Sequence, residues 1–316
     1  MINIGITIGD PSGIGPEIAL RAVKALKEKA GFLIIGDFSV LKRLSFFKGI
    51  KGERVEIVDV RAVDARRFSF GKISPEYGQA SIKYLDKALS LLDEKKISAL
   101  VTCPISKEAI NRAGFRYSGH TEYFAQKTKT DYPVMMLLNG SLRFSLVTRH
   151  ISIKRLPGSL TRQNILHTLL ATKHSLLNDF KVRSPRIILC ALNPHASDGG
   201  LIGREEVNVI GPAACLAKKR GCLVDGPVPA DIAVYKALKG EYDAVVAMNH
   251  DQALIPLKIT GFETGVNMTL GLPFVRTSPL HGTAFDIART PGLADPSSLI
   301  AAIKLAVRCA SARKRA

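Results

Sequence analysis

The chain has 316 residues, 46% apolar and 23% charged, enough for two domains and too apolar for a disordered chain. No run approaches a membrane span, and five cysteines without Cys-x-x-Cys spacing argue against a disulfide framework and for a reduced protein. The net charge of +18 is scattered over "LKRLSFFKGIKGER", "DARRF", "AKKRG" and "ARKRA", and tryptophan is absent, which favours a basic surface that attracts small anions over a nucleic-acid site.

The opening "MINIGITIGD" is strand-like from the start and lacks the pattern of a secretory leader, so a cytoplasmic location is expected. "INIGITIG" is followed by the helical "PEIALRAVKALKEKA" and then by "GFLIIGD". Further on, "GQASIKYLDKALSLLDEKK" precedes "ISALVTCP", and "TRQNILHTLLATKHSLLNDF" precedes "PRIILCALNPH". "VNVIGPAACLAKKRG" leads to "CLVDGP", and "ADIAVYKALKGE" leads to "YDAVVAMNH". Apolar runs alternating with amphipathic stretches predict an α/β fold with a mostly parallel sheet. "MMLLNGSLRFSLVTRH" has two apolar runs around Asn139-Gly140, a hairpin signal that makes the sheet mixed. With no flexible linker, two domains must share an interwoven boundary.

Three apolar runs end in a histidine: "LRFSLVTRH" at His150, "RIILCALNPH" at His195 and "YDAVVAMNH" at His250. In open α/β sheets the ligand crevice lies at the carboxyl ends of the strands. One strand-end histidine reads as a loop residue satisfied by backbone. Three in the same placement read as a divalent-metal site with open coordination positions, the catalytic pattern. His167 and His174 read as ordinary helix residues. Asp251 either caps a helix, orients an imidazole or meets a cationic substrate group.

The loop "IGDPSGIGPE" is a βα turn, with Pro16 and Glu17 suited to a first helical turn. It is neither the GxGxxG fingerprint nor a P-loop. "GVNMTLGLPFVRTSPLHGTAFDIA" is turn-rich yet too apolar for a solvent loop. It offers Asn267, Arg276, His281 and Asp286, a set able to fix an anion or a ribose. Lys258 and Arg276 read either as surface charges or as phosphate or carboxylate partners.

Taken together, "GDPSGIGPE", "SGHTEYFA", "NPHASDGG", "HDQALIPLK" and "GVNMTLGLPFVRTSP.HGTAFDIA" resemble, in order and spacing, the 4-hydroxythreonine-4-phosphate dehydrogenase (PdxA) family of vitamin B6 synthesis, over nearly the whole chain. A more distant similarity is to isocitrate and isopropylmalate dehydrogenases. The resemblance implies two α/β/α domains: residues 1–130 plus 268–316 on the cofactor side, and 131–267 carrying the metal-binding strand ends and the dimer interface. It implies NAD-dependent oxidation, with NADP as an alternative, of 4-phosphooxy-threonine at its hydroxyl carbon, followed by decarboxylation to 3-amino-2-oxopropyl phosphate. One divalent ion (Zn, Mg, Mn or Co) falls to His150, His195 and His250. Substrate binding falls to His120, Thr121, Lys258, Asn267, Arg276, Asp231 and Asp251. The cofactor falls to Gly13, His281, Gly282, Thr283 and Asp286. The expected assembly is a homodimer with shared active sites, His150 and His195 coming from one chain and His250 from its partner, with no nucleic acid or membrane as partner. Asn249, Ala253, Leu280 and Arg289 depart from the family pattern. They keep open a relative acting on a four-carbon sugar-acid phosphate such as threonate or erythronate 4-phosphate.

Overall fold

The computed structural model describes residues 2–48, 50, 54–261 and 263–314. Its strands are β1 (Asn3–Thr7), β2 (Gly31–Gly36), β3 (Val55–Asp59), β4 (Ala99–Thr102), β5 (Val134–Asn139), β6 (Leu142–Leu146), β7 (Arg186–Cys190), β8 (Leu223–Val228), β9 (Ala244–Ala247), β10 (Val266–Leu270) and β11 (Val275–Pro279). The chain divides into two compact units, Met1–Asp131 with Leu272–Lys314, and Tyr132–Gly271. β10 therefore lies wholly in the second unit, whereas the expected crossing at 267/268 cuts it.

In the first unit the strand order is β3-β2-β1-β4-β11, all parallel. β2 and β4 are buried at every residue, as expected of strands covered on both faces. β3, at the edge, is only partly buried. Helices Gly15–Ala25, Pro75–Asp93 and Ser297–Lys314 supply the cover. Ser74 starts the second of these by accepting a hydrogen bond from the Tyr77 N–H, with Pro75 preset for the first turn. Ile4, Ile6, Ile18, Leu20 and Ile34 are fully buried, each stabilising the unit by about 1.5–3 kcal/mol.

In the second unit the order is β10-β5-β6-β9-β7-β8. β10 pairs antiparallel with β5, and β5 with β6. The β5–β6 hairpin is the one signalled by Asn139-Gly140: Asn139 faces Leu142 across the turn, and Gly140 takes φ 58°. β6, β9, β7 and β8 then run parallel. Leu169, Leu176, Ile187, Leu189, Ile210 and Val246 fill the core against helices Arg162–Asn178 and Gly211–Lys219. The late turn-rich segment forms two strands, β10 and β11, separated by a short turn, and Val266, Met268, Leu270 and Val275 in them are buried.

Candidate active site

β6, β9 and β7 are adjacent and parallel, so their carboxyl ends lie on one edge of the second unit's sheet. His150 follows β6, His195 follows β7, and His250 follows β9 and opens the helix His250–Gly261. The chain thus delivers all three histidines to the same edge, with the His250 strand in the middle.

The His150 and His250 rings lie 5.9 Å apart, centroid to centroid. Two imidazoles sharing one ion at metal–nitrogen distances of about 2.0–2.1 Å place their centroids about 5–6 Å apart, so this pair fits a divalent cation. His250 Nδ1 lies 2.8 Å from Asp251 Oδ1. A carboxylate can only accept, so Nδ1 carries the proton and the Nε2 lone pair is left for a ligand. This contact is the one an imidazole-orienting carboxylate makes. The two rings line a cleft of about 510 Å³ together with Arg149, Asn193, Asn249 and Asp251.

His195 does not line this cleft. It is exposed and begins a turn in which His195, Ala196, Ser197 and Asp198 all have positive φ (52°, 53°, 68° and 43°), continued by Gly199. The loop entering the turn is clamped by Glu206: its Oε1 accepts from the Leu192 and Asn193 N–H groups, and its Oε2 from the Asn193 side chain, each at 2.8 Å. Burial opposes charge on Glu206, but these bonds outweigh it and hold the carboxyl below its ordinary range. Among the described residues, one chain brings no three His, Cys, Asp or Glu groups together as a metal cluster. Within one chain the neighbouring rings are His150 and His250, a different grouping from the expected His150 with His195.

The other substrate candidates of this unit are spread along it. Asn267, on β10, has a buried Oδ1 without a hydrogen-bond partner. Lys258 is exposed in the last turn of the His250–Gly261 helix, and Asp231 is exposed in the first turn of the helix Ala230–Leu238.

The first unit holds a second polar set. Arg276, on β11, is 2% exposed and donates through Nε and Nη2 to Thr102 Oγ1 at the end of β4 (3.1 and 2.6 Å). Burial pushes its guanidinium down to about 9, with nearby Glu122 opposing. His120 and the buried Thr121 open the helix His120–Thr128. Burial, and then the Arg276 charge, hold His120 well below the ordinary imidazole range, and its Nε2 has no partner. A neutral imidazole beside a buried cation suits an anionic ligand.

Gly13 and Thr283 meet. The Ile14 N–H donates to Thr283 O at 3.0 Å, and a Cβ on Gly13 would lie 2.8 Å from that oxygen, so only glycine fits. His281 Nε2 is buried without a partner, while Gly282 and Asp286 are exposed. Arg289 donates through Nε to Phe70 O at 2.9 Å. Sequence reasoning missed Asp10 in this loop. The residue is fully buried and pushed up to about 7 by burial, its Oδ1 accepts from the Ser12 N–H, and its Oδ2 has no partner. It also missed Thr102, Glu206 and Gln252, whose only signal was position beside other candidates.

The model of the "Pyridoxal phosphate biosynthetic protein PdxA" family matches residues 17–306. The chain belongs to the PdxA family. A 4-hydroxythreonine-4-phosphate dehydrogenase from Caulobacter vibrioides is 40% identical, covering 98% of each chain. A relative from Oceanobacillus iheyensis, whose name gives D-threonate 4-phosphate as substrate, is 38% identical over 97% of each. The crystal structure of a 4-hydroxythreonine-4-phosphate dehydrogenase from Klebsiella pneumoniae superposes with TM-score 0.88 at 33% identity, covering 98% of this chain and 100% of that one. A beta-decarboxylating dehydrogenase from Thermococcus kodakarensis, at 14% identity and TM-score 0.53 over 98% of this chain and 85% of that one, shares the fold. The expected α/β architecture of the family is the one observed.

Proposed function

We propose that the chain oxidises 4-phosphooxy-L-threonine with NAD to 2-amino-3-oxo-4-phosphooxybutanoate, which loses carbon dioxide to give 3-amino-2-oxopropyl phosphate on the route to pyridoxal 5'-phosphate. The observation that carries this reading is the His150–His250 pair at the shared edge of three parallel strands, in a chain of the PdxA family. When bound, a divalent cation (Zn, Mg, Mn or Co) supplies Lewis acidity at the substrate hydroxyl, and the nicotinamide supplies the hydride acceptor.

The chain's own residues do the rest. His150 and His250 hold the cation, with Asp251 keeping the His250 Nε2 lone pair available. The partner subunit's His195 completes the set, because one chain pairs only two of the three rings. Arg276, with Thr121, takes the substrate phosphate or carboxylate in a water-poor setting. Neutral His120 meets a substrate oxygen without adding a second buried charge. Asn267 Oδ1 accepts from a substrate hydroxyl or amine. Lys258 adds positive charge for the anion, and Asp231 offers a carboxylate to an ammonium group. Gly13, His281, Gly282, Thr283 and Asp286 form the cofactor side.

The homodimer is supported by exposed apolar side chains on the second unit: Ile153, Leu201 and Ile259 are 82%, 89% and 80% exposed. Five free cysteines suit a reducing cytoplasm, and among the described residues no helix is long and apolar enough to cross a membrane.

The relative named for D-threonate 4-phosphate supports a second reading, a sugar-acid phosphate substrate. NADH formation with 4-phosphooxy-L-threonine, D-threonate 4-phosphate and D-erythronate 4-phosphate separates the two. A site that binds the amino group should prefer the amino acid by at least about tenfold in kcat/KM. Preference for either sugar acid would establish the second reading; turnover of none would overturn both.

A further inference from the structure

The metal reading leaves open what fixes the spacing of the histidine-bearing strand ends. Backbone pairing cannot. The ladder between β6 and β9 closes with Val147 N–H to Ala247 O, and the one between β9 and β7 ends at Val246, before any of the three histidines. Side chains take over beyond that point. Thr148 Oγ1 donates to Met248 O at 2.6 Å, joining the end of β6 to the end of β9. The Met248 N–H donates to Gln252 Oε1 at 2.8 Å, and Gln252 Nε2 donates to Ala191 O at 2.7 Å, joining the end of β9 to the end of β7. The Gln252 N–H in turn donates to Asn249 Oδ1 at 3.0 Å, fixing the turn in which His250 sits.

Resting on the metal reading above, we propose that Gln252 is a positioning residue for the metal centre, its amide bracing the His250-bearing strand end against the His195-bearing one. The chemistry needed is narrow. One group must accept from Met248 and another, on the same planar fork, must donate to Ala191. Glutamate has no donor, methionine has neither group, and asparagine is one methylene short. One helical turn thus carries a ligand, His250, its orienting carboxylate, Asp251, and the brace, Gln252. In the shared-site dimer His250 serves one site and His195 the other, so the brace ties each chain's contribution to one site to its contribution to the other.

The test uses metal-stripped full-length protein, titrated with Zn²⁺ against a chromogenic chelator, for wild type, His250→Ala, Gln252→Met, Gln252→Glu and Ser175→Ala. Ser175 donates to Asp179 in the buried part of helix Arg162–Asn178, so its variant loses a buried hydrogen bond away from the strand ends. Gln252→Met and Gln252→Glu should bind Zn²⁺ about 10- to 100-fold more weakly than wild type, the range for partners that orient metal ligands. Ser175→Ala should lower Tm while binding as wild type does. If Gln252→Met fails to fold, Gln252→Glu, which keeps the acceptor for Met248, decides alone. Wild-type affinity in either folded Gln252 variant, or a loss in Ser175→Ala as large as theirs, overturns the brace. A wild type that binds no tighter than His250→Ala overturns the metal reading itself, and that outcome is distinguishable because it appears before any Gln252 variant is compared.

Discussion

Replacing Arg276 with methionine should separate the cost of a buried charge from its use. The guanidinium is 2% exposed, and burial pushes it down to about 9. Measured from an ordinary value of ~12.5 at ~1.36 kcal/mol per pH unit, holding the cation there costs roughly 5 kcal/mol. Methionine keeps much of the apolar stem and removes that cost. It also strips Thr102 Oγ1 of its two donors, a loss of roughly 2–4 kcal/mol. The ligand-free protein should therefore gain about 1–3 kcal/mol in a denaturant titration. Activity should move the other way. A charged contact to the substrate anion is worth ~1.5–3 kcal/mol, so kcat/KM should fall about 10- to 150-fold.

A third readout follows from His120, whose ring is held low first by burial and then by Arg276. Without Arg276 its NMR titration midpoint should rise, yet stay below the ordinary range because burial remains. The sign of the linked stability is fixed. The unfolded chain binds this proton at a higher pH than the native one, so stability from this group is lost as pH falls from ~6.5 down through the lower native value, and the variant should lose less of it. If Arg276→Met weakens the ligand-free protein and leaves kcat/KM unchanged, Arg276 is a structural brace for Thr102 and the anion-binding assignment fails.

Chelation should abolish activity, and Zn²⁺, Mg²⁺, Mn²⁺ or Co²⁺ should restore it; full turnover by verified metal-free protein would contradict the metal site. On the proposed placement of Asp286 at the cofactor, where it would repel a 2′-phosphate, and with Arg289 engaged with Phe70 O, NAD should be preferred to NADP by about tenfold or more in kcat/KM; equal efficiency with the two cofactors would refute this. His150→Ala mixed with His195→Ala should regain activity at about a quarter of sites after random subunit exchange, while His150→Ala with His250→Ala regains none. Recovery only in the second mixture would restore the grouping expected from sequence.

The strand ends were legible because "VVAMNH", "LVTRH" and "LCALNPH" each break from a strand-like run into polar residues ending in histidine, the mark of a strand reaching its crevice. The Asn139-Gly140 turn was legible for a local reason, since few dipeptides suit so tight a connection. Neighbour order was not legible: placing β9 between β6 and β7 depends on crossovers that no local pattern encodes. Nor was the burial of Arg276, because in sequence a cation within "PFVRTSP" looks the same buried or solvated. Glu206 and Gln252 carried no signal beyond position beside other candidates, and only the fold shows that they grip the loop backbone after β7.

The His195 turn was the least legible feature, and it yields the sharpest local test. Four consecutive non-glycine residues hold positive φ there, at about 1–2 kcal/mol each by the steric cost of left-handed backbone. Glu206 secures the entry, and the Ile202 N–H bonded to Ser197 O at 3.2 Å secures the exit. Ala196 sits at φ 53° inside the turn. Glycine there removes the steric cost of ~1–2 kcal/mol and adds ~0.5–1 kcal/mol of unfolded-state freedom, so Ala196→Gly should stabilise the protein by about 0.5–1 kcal/mol. Ala237→Gly, in the right-handed helix Ala230–Leu238, should destabilise it by about 1 kcal/mol. The opposite signs matter more than the sizes, since glycine loosens the unfolded chain equally in both variants. If both lower the denaturation midpoint, Ala196 is not left-handed in solution, and His195 reaches the metal from a relaxed loop. If the signs split, the fold maintains a strained turn that opens on the third histidine.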